Sequence, residues 1–350
     1  MTTPTTHSWP ARSIYSIAAV VALALAALLA AAHASASEKV DGVQAQLRNG
    51  TLRVLGGDGA QQVALRLKAG DPQTIQVDAA DNGSADFSFA RAGIRAIKVR
   101  MGAGDDSARI DDANGAFTDQ IPTTLSGGDG DDTLAGGQTQ VAPENETFRG
   151  GRGNDLVDGG KGNDTAYLGA GKDTFNWDNG EGSDVVEGQG GGDGLVFNGA
   201  PGAEQVTMSA DGGRLNFFRV QGNVTISTDG VEAVDDNPLG GADSLTVNDL
   251  SGTDVTQTSV DLAGSVGGGA ADGATDNVVV NATNGDDQIA VNPDLSGGAE
   301  VSGLASEVSV QNPDTTSPRD TLSINTLAGN DNVTTSGVFG LQLLVDGVAV

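Results

Sequence analysis

The sequence contains no cysteine, so disulfides, thiolate nucleophiles and Cys-ligated metals are excluded, and nothing covalent staples the fold. Histidine is almost absent as well: His7 and His33 both lie in the first 36 residues. Aromatics are scarce, with nine Phe, two Trp and two Tyr in 350 residues, fewer than a conventional globule of this length buries. Lys and Arg number 18 against 47 Asp and Glu, giving a net charge of −29. A surface of that sign repels phosphate, which argues against nucleic acid and makes cations the natural partners. Glycine, by contrast, is abundant, with 53 residues.

After Arg12 the run Ile17 to Ala32 is almost wholly Ala, Val and Leu. It ends in two small-x-small sites, Ala32-His33-Ala34 and Ala34-Ser35-Ala36. Residues 1–36 therefore read as a signal peptide, with cleavage after Ala36 or, as second choice, after Ala34. The alternative is an uncleaved anchor, because Ile14 to Ala32 is long enough to span a bilayer. Cleavage removes both histidines together with Trp9 and Tyr15, which excludes triads built on a histidine base and His-ligated zinc or copper. The expected location is extracellular, with the periplasm or cell surface also open.

A nine-residue repeat dominates the middle of the chain. Gly150 to Asp158 and Gly159 to Tyr167 follow each other without a gap, and both fit Gly-Gly-x-Gly-x-Asp-x-apolar-x. Leu168 to Asn176 keeps Gly169, Gly171, Asp173 and Phe175 at the second, fourth, sixth and eighth places. Two residues, Trp177 and Asp178, are then inserted at a point where one coil could be disturbed. The frame resumes with Gly180, Gly182, Asp184 and Val186, and again with Asp193 and Leu195, although Gln189 takes a glycine position. Upstream, Gly127 to Ala135 matches through Asp132 and Leu134. The 14-residue unit Gly136 to Arg149 is degenerate, with Glu146 and Phe148 at the sixth and eighth places.

The pattern predicts a glycine turn followed by a very short strand whose eighth residue points inward. Each nonapeptide makes half a coil, so alternate units share an edge. Asp132, Asp155, Asp173 and Asp193 should face common ions on one edge, and Glu146, Asp164 and Asp184 on the other. The candidate metal residues are these aspartates with the turn glycines Gly151, Gly153, Gly160, Gly162, Gly169, Gly171, Gly180 and Gly182. Carboxylate and carbonyl oxygens in loose geometry suit several Ca²⁺ ions better than Mg²⁺. Asp155, Asp164 and Asp173 have the most regular surroundings.

These residues, Gly127 to Val196, resemble the RTX, or hemolysin-type, calcium-binding repeat. The resemblance implies a right-handed parallel β-roll with calcium between successive turns. The chain ends also look like exported bacterial proteins known only as calcium-binding. The N-terminal signal sets the chain apart from exported toxins with such repeats, which use a signal-independent route.

A second period lies beyond residue 230: Glu232, Asp276 and Asp320 are 44 apart, as are Asn237, Asn281 and Asn325, and Asp243, Asp287 and Asp331. Near the N-terminus the same frame recurs with Gly102, Gly104 and Asp106. The stretch Thr51 to Leu67 reads as two strands around Gly56-Gly57-Asp58-Gly59, with Gln62 where an aspartate is expected. The expected fold is all-β: a parallel β-roll or β-helix over 126–199, a β-rich N-terminal region over 37–125, and a β-solenoid or sandwich over 200–350. Helix signals are absent after residue 36. Gly285-Asp286-Asp287 and Gly329-Asn330-Asp331 read as solvated turns. Phe148, Leu156 and Phe175 read as core, Trp177 as packing over the roll, and one of Phe217 and Phe218 should be buried.

The functional reading is a non-enzymatic, calcium-dependent structural or interaction module. One alternative is a β-solenoid polysaccharide lyase or glycosidase, for which no cluster of basic residues is identifiable. Another is an adhesin for a cell surface or matrix, with a polysaccharide or surface partner that the sequence does not name.

Overall fold

Short strands with every second side chain apolar must cover one face with another sheet, and here two sheets cover each other. The strand Glu146–Arg152 buries Glu146, Phe148 and Gly150, and Leu156–Asp158 buries its central Val157. Residues 39–139, 145–316, 319–337 and 339–350 are described in a computed structural model. Residues 1–36, read above as a signal peptide, lie outside them. Nearly all regular structure is strand, with two single-turn 3₁₀ helices at Arg91–Gly93 and Asp112–Asn114. Among the described residues one sheet has 15 strands and the other 14.

Successive strands alternate between the sheets, so neighbours within a sheet are parallel and one full coil apart. Glu146–Arg152 pairs in parallel with Thr123–Asp129 and Thr165–Gly171, and Leu156–Asp158 pairs with Thr133–Ala135 and Thr174–Asp178. This is a β-roll solenoid, and its sheets continue through the regions on either side of the nonapeptides. Antiparallel strands occur where the coil is interrupted. The meander Gln205–Asp211, Arg214–Arg219 and Val224–Asp229 inserts into the first sheet, and Gln288–Pro293, Ala299–Ser302 and Glu307–Gln311 form another in the second.

The eighth-place residues form the core, as the period predicts. Leu125, Phe148, Ala166 and Val186 are in register on one sheet, Leu134, Val157, Phe175 and Leu195 on the other, and all are fully buried. The Trp177-Asp178 insertion does not break a coil. It lengthens Thr174–Asp178, which pairs along its whole length with Gly194–Asn198. Trp177 is buried and stacks on Phe197 at 4.6 Å, and Phe197 meets Phe217 at 4.7 Å. Of the Phe217-Phe218 pair, Phe217 is the buried one, whereas Leu156, expected in the core, is the seventh residue of its unit, faces outward and is 43 % exposed.

The 44-residue period holds only between its second and third copies. Val278 pairs with Leu322 and Asn281 with Asn325, 44 residues apart, but Leu245 pairs with Val278 rather than taking the place of Ile289. Glu232 leads into Ala233–Asn237 of the second sheet, whereas Asp276 leads into Asn277–Asn281 of the first. One and a half coils separate the first two copies, so equivalent residues fall on opposite edges. Asparagine ladders follow the same correction: Asn281 donates to Asn248 at 2.9 Å and Asn325 to Asn281 at 2.8 Å, while Asn237 donates to Asn198 at 3.0 Å on the other sheet.

Phe175→Ala should cost about 3–5 kcal/mol in urea unfolding with calcium present. Val185→Ala, at a 40 % exposed position, should stay within about 0.5 kcal/mol. Equal effects of the two would contradict the inward assignment of the eighth place.

Candidate metal centre

The turns stack because glycine permits it. Gly151 and Gly153 have φ of 131° and 120°, and a Cβ on either would run into the carbonyl oxygen of Gly128 or Gly130 in the turn before. Gly169 and Gly171 repeat these contacts against Gly151 and Gly153. On the opposite edge Gly160 abuts Gly137, Gly182 abuts Gly162, and Gly180 lies beside the Lys161 side chain.

Stacked turns bring the sixth-place carboxylates into ladders. The Asp132 N–H donates to Asp155 Oδ1 at 2.9 Å, that of Asp155 to Asp173 at 2.8 Å, and that of Asp173 to Asp193 at 2.9 Å. The rungs are 23, 18 and 20 residues apart in sequence, so the degenerate unit and the insertion are absorbed without loss of register. On the other edge the Glu146 N–H donates to Asp164 at 2.6 Å, and that of Asp164 to Asp184 at 2.7 Å. The two edges therefore carry the sets expected from alternate nonapeptides.

The first ladder extends in both directions. The Asp106 N–H donates to Asp132 at 2.8 Å, and the Asp193 N–H to Glu232 at 2.7 Å. At its start the residue in the aspartate place is Gln61, not Gln62: the Gln61 N–H donates to Asp106 at 2.7 Å and its side-chain oxygen accepts from Gly57. Counting from Gly56, Gln61 is the sixth residue. A further ladder on the second edge links Glu204, Asp243, Asp276 and Asp320 at 2.7, 2.8 and 2.8 Å.

Fifth-place side chains form a string of opposite polarity, which the motif leaves unspecified. Asn154 Oδ1 accepts from the Lys172 N–H at 2.8 Å, and Asn163 Oδ1 from the Ser183 N–H at 2.9 Å. Asp287 and Asp331 also stack, at 2.9 Å, but Thr283 binds both Asp287 side-chain oxygens, in keeping with a turn.

Each ladder aspartate is buried and accepts one ladder hydrogen bond. The second oxygens of Asp106, Asp132, Asp155, Asp173 and Asp193 are buried without a hydrogen-bond partner, as are those of Asp164, Asp184 and Asp243 and both of Glu146. Orphaned anionic oxygens in stacked rows are costly unless a cation meets them. With neither Cys nor a described His, the donor set is oxygen only, which fits Ca²⁺. At one rung the chain supplies the cation itself. Glu204, 1 % exposed, is bound at both oxygens by the Arg219 guanidinium at 2.6 Å and has no orphan.

These features define a β-roll with oxygen-only cation sites along its turns. The family model described as RTX calcium-binding nonapeptide repeat (4 copies) matches residues 124–138 and 143–175. Residues 124–138 and 143–175 are thus RTX-type calcium-binding repeats, which imply calcium binding within a structural module. Comparison with curated proteins and with solved structures returns no match.

Among the described residues, two buried acids outside the motif also keep unpartnered oxygens. Asp236 is wholly buried with both oxygens unpartnered, and burial, with Asp243 and Glu204 nearby, holds its pKa well above the usual range. Glu181 is the other, and its surroundings are described below.

Burial pushes Asp155 and Asp193 up to about 6, Asp132 to about 7 and Asp184 to about 8, against an ordinary value of 3.8. A carboxyl with a higher pKa folded than unfolded keeps its proton longer in the folded chain. Metal-free stability should therefore be greatest below the unfolded value and fall as pH rises through about 6 to 8. The β content by circular dichroism of the metal-free protein across that range checks this; a β content that rises with pH would contradict it.

Proposed function

We propose that this protein is an exported structural or interaction module whose nonapeptide region, 126–199, folds on binding several calcium ions. Asp132, Asp155, Asp173 and Asp193 on one edge, and Asp164 and Asp184 with Glu146 on the other, are the carboxylate ligands. The glycine turns around Gly151, Gly153, Gly169 and Gly171, and around Gly160, Gly162, Gly180 and Gly182, supply backbone carbonyls. The observation that carries this reading is the row of buried, unpartnered carboxylate oxygens within residues that match the calcium-binding repeat.

The coupling to folding follows from the charges. Without metal the ladders repel, and strands as short as Leu156–Asp158 bury too little to compensate. With metal each ion joins one coil to the next. Extracellular modules of this kind bind at about 10⁻⁴ to 10⁻³ M, so folding waits until export behind the N-terminal segment. The flanking regions, 37–125 and 200–350, continue the same sheets and make the whole a stiff calcium-set spacer, in keeping with an adhesive or matrix role.

Hydrogen exchange localises the effect. Amides of 126–199 should be protected in calcium and exchange far faster in chelator, and Asp173→Asn should weaken calcium binding by about tenfold or more, through loss of a charged ligand shared by two sites. Protection of 126–199 that is the same in chelator would overturn the reading.

A further inference from the structure

Three carboxylates that the repeat does not account for meet beside the second edge. Asp158 is the ninth residue of its nonapeptide, Asp178 the second inserted residue, and Glu181 the third residue of the unit that follows. One carboxylate oxygen of each lies within 4.8 Å of the others. The third place holds exposed Arg152 and half-buried Lys161 in the preceding units, but Glu181 is turned inward and is only 5 % exposed.

Each of the three is held by the loop around it. The Asp178 N–H donates to Glu181 Oε2 at 2.8 Å, and the Glu181 N–H closes the turn onto the Asp178 carbonyl at 3.1 Å. Asp158 Oδ1 accepts from the Gly160 N–H at 2.9 Å and, at 3.5 Å, from Gln138 Nε2; Asp178 Oδ1 accepts from Asn198 Nδ2 at 2.8 Å. Glu181 Oε1 remains buried with no partner. Among the described residues no Lys or Arg forms an ion pair with any of the three. The half-buried Asp158 and exposed Asp178 keep contact with water, but the inward Glu181 has exchanged water for two other acids and gained no cation in return.

We propose that Asp158, Asp178 and Glu181 form a separate site for a hard divalent cation such as calcium, distinct from the ladder sites. The ion joins the inserted segment to the coil before it, which explains how an insertion is accommodated with a full-length strand. The site lies against Trp177, whose Nε1 donates to the Gly182 carbonyl of the same loop at 2.9 Å.

That indole provides the test. In full-length protein carrying Trp9→Phe, Trp177 is the remaining tryptophan and sensitises Tb³⁺ bound close by. Asp178→Asn and Glu181→Gln, both nearly isosteric, should each lower the calorimetric calcium count by one and at least halve the indole-excited Tb³⁺ emission. Protection of 126–199 in calcium should persist in both. An unchanged count with unchanged emission in both variants would overturn the site and assign a proton to the cluster. Failure of the ladder reading has a different signature, namely calcium uptake unaffected by Asp155→Asn and Asp173→Asn.

Discussion

Along its ladders this solenoid sets the aspartate carboxylate of one coil against the backbone N–H of the coil before it, with the next carboxylate only one turn away. The hydrogen bond fixes one oxygen of each rung and leaves the other facing its neighbours in the interior. Glycine is needed at the turns because any larger residue would hold the coils apart at Gly151 and Gly153. Short strands follow from short turns, and the inward eighth residue follows from the strand register. The arrangement is consistent only if positive charge sits along the edges, since stacked buried anions oppose the closeness that the glycines allow.

The rung at Glu204 shows what satisfying such a carboxylate looks like. Arg219, supplied by the inserted meander, binds both oxygens and also reaches the Gln221 carbonyl and the Asn179 side chain. Its guanidinium lies 5.6 Å from the Trp177 ring centroid. Among the described residues of the nonapeptides no basic side chain pairs with a ladder carboxylate, and there the orphaned oxygens persist. One solenoid thus meets this electrostatic demand with a built-in guanidinium where the coil is interrupted, and leaves it to the proposed metal where the coil is regular.

Much of this was legible in the sequence because the roll is made of local signals repeated at a fixed period. Asp155, Asp164 and Asp173 with their glycines set the edges, and Val157, Ala166 and Phe175 set the core, from the nine-residue frame alone. Less regular features left weaker traces. The frame at the N-terminus was visible, but without tandem neighbours it was set one residue late, at Gln62 rather than Gln61. The 44-residue period was real, yet its first copy sits half a coil out of phase, because strand pattern does not record which sheet a strand joins. Glu181 and Arg219 carried no signal: one occupies a variable position of the motif, and the other meets Glu204 through an antiparallel hairpin whose pairing is not periodic.

The central claim is that a metal ion lies between carboxylates of alternate nonapeptides, and anomalous diffraction from crystals grown in calcium tests it most directly. The account predicts calcium peaks between Asp155 and Asp173 and between Asp164 and Asp184, with no peak at Glu204, where Arg219 already sits. Carboxylate rows that bind only water in saturating calcium would contradict it.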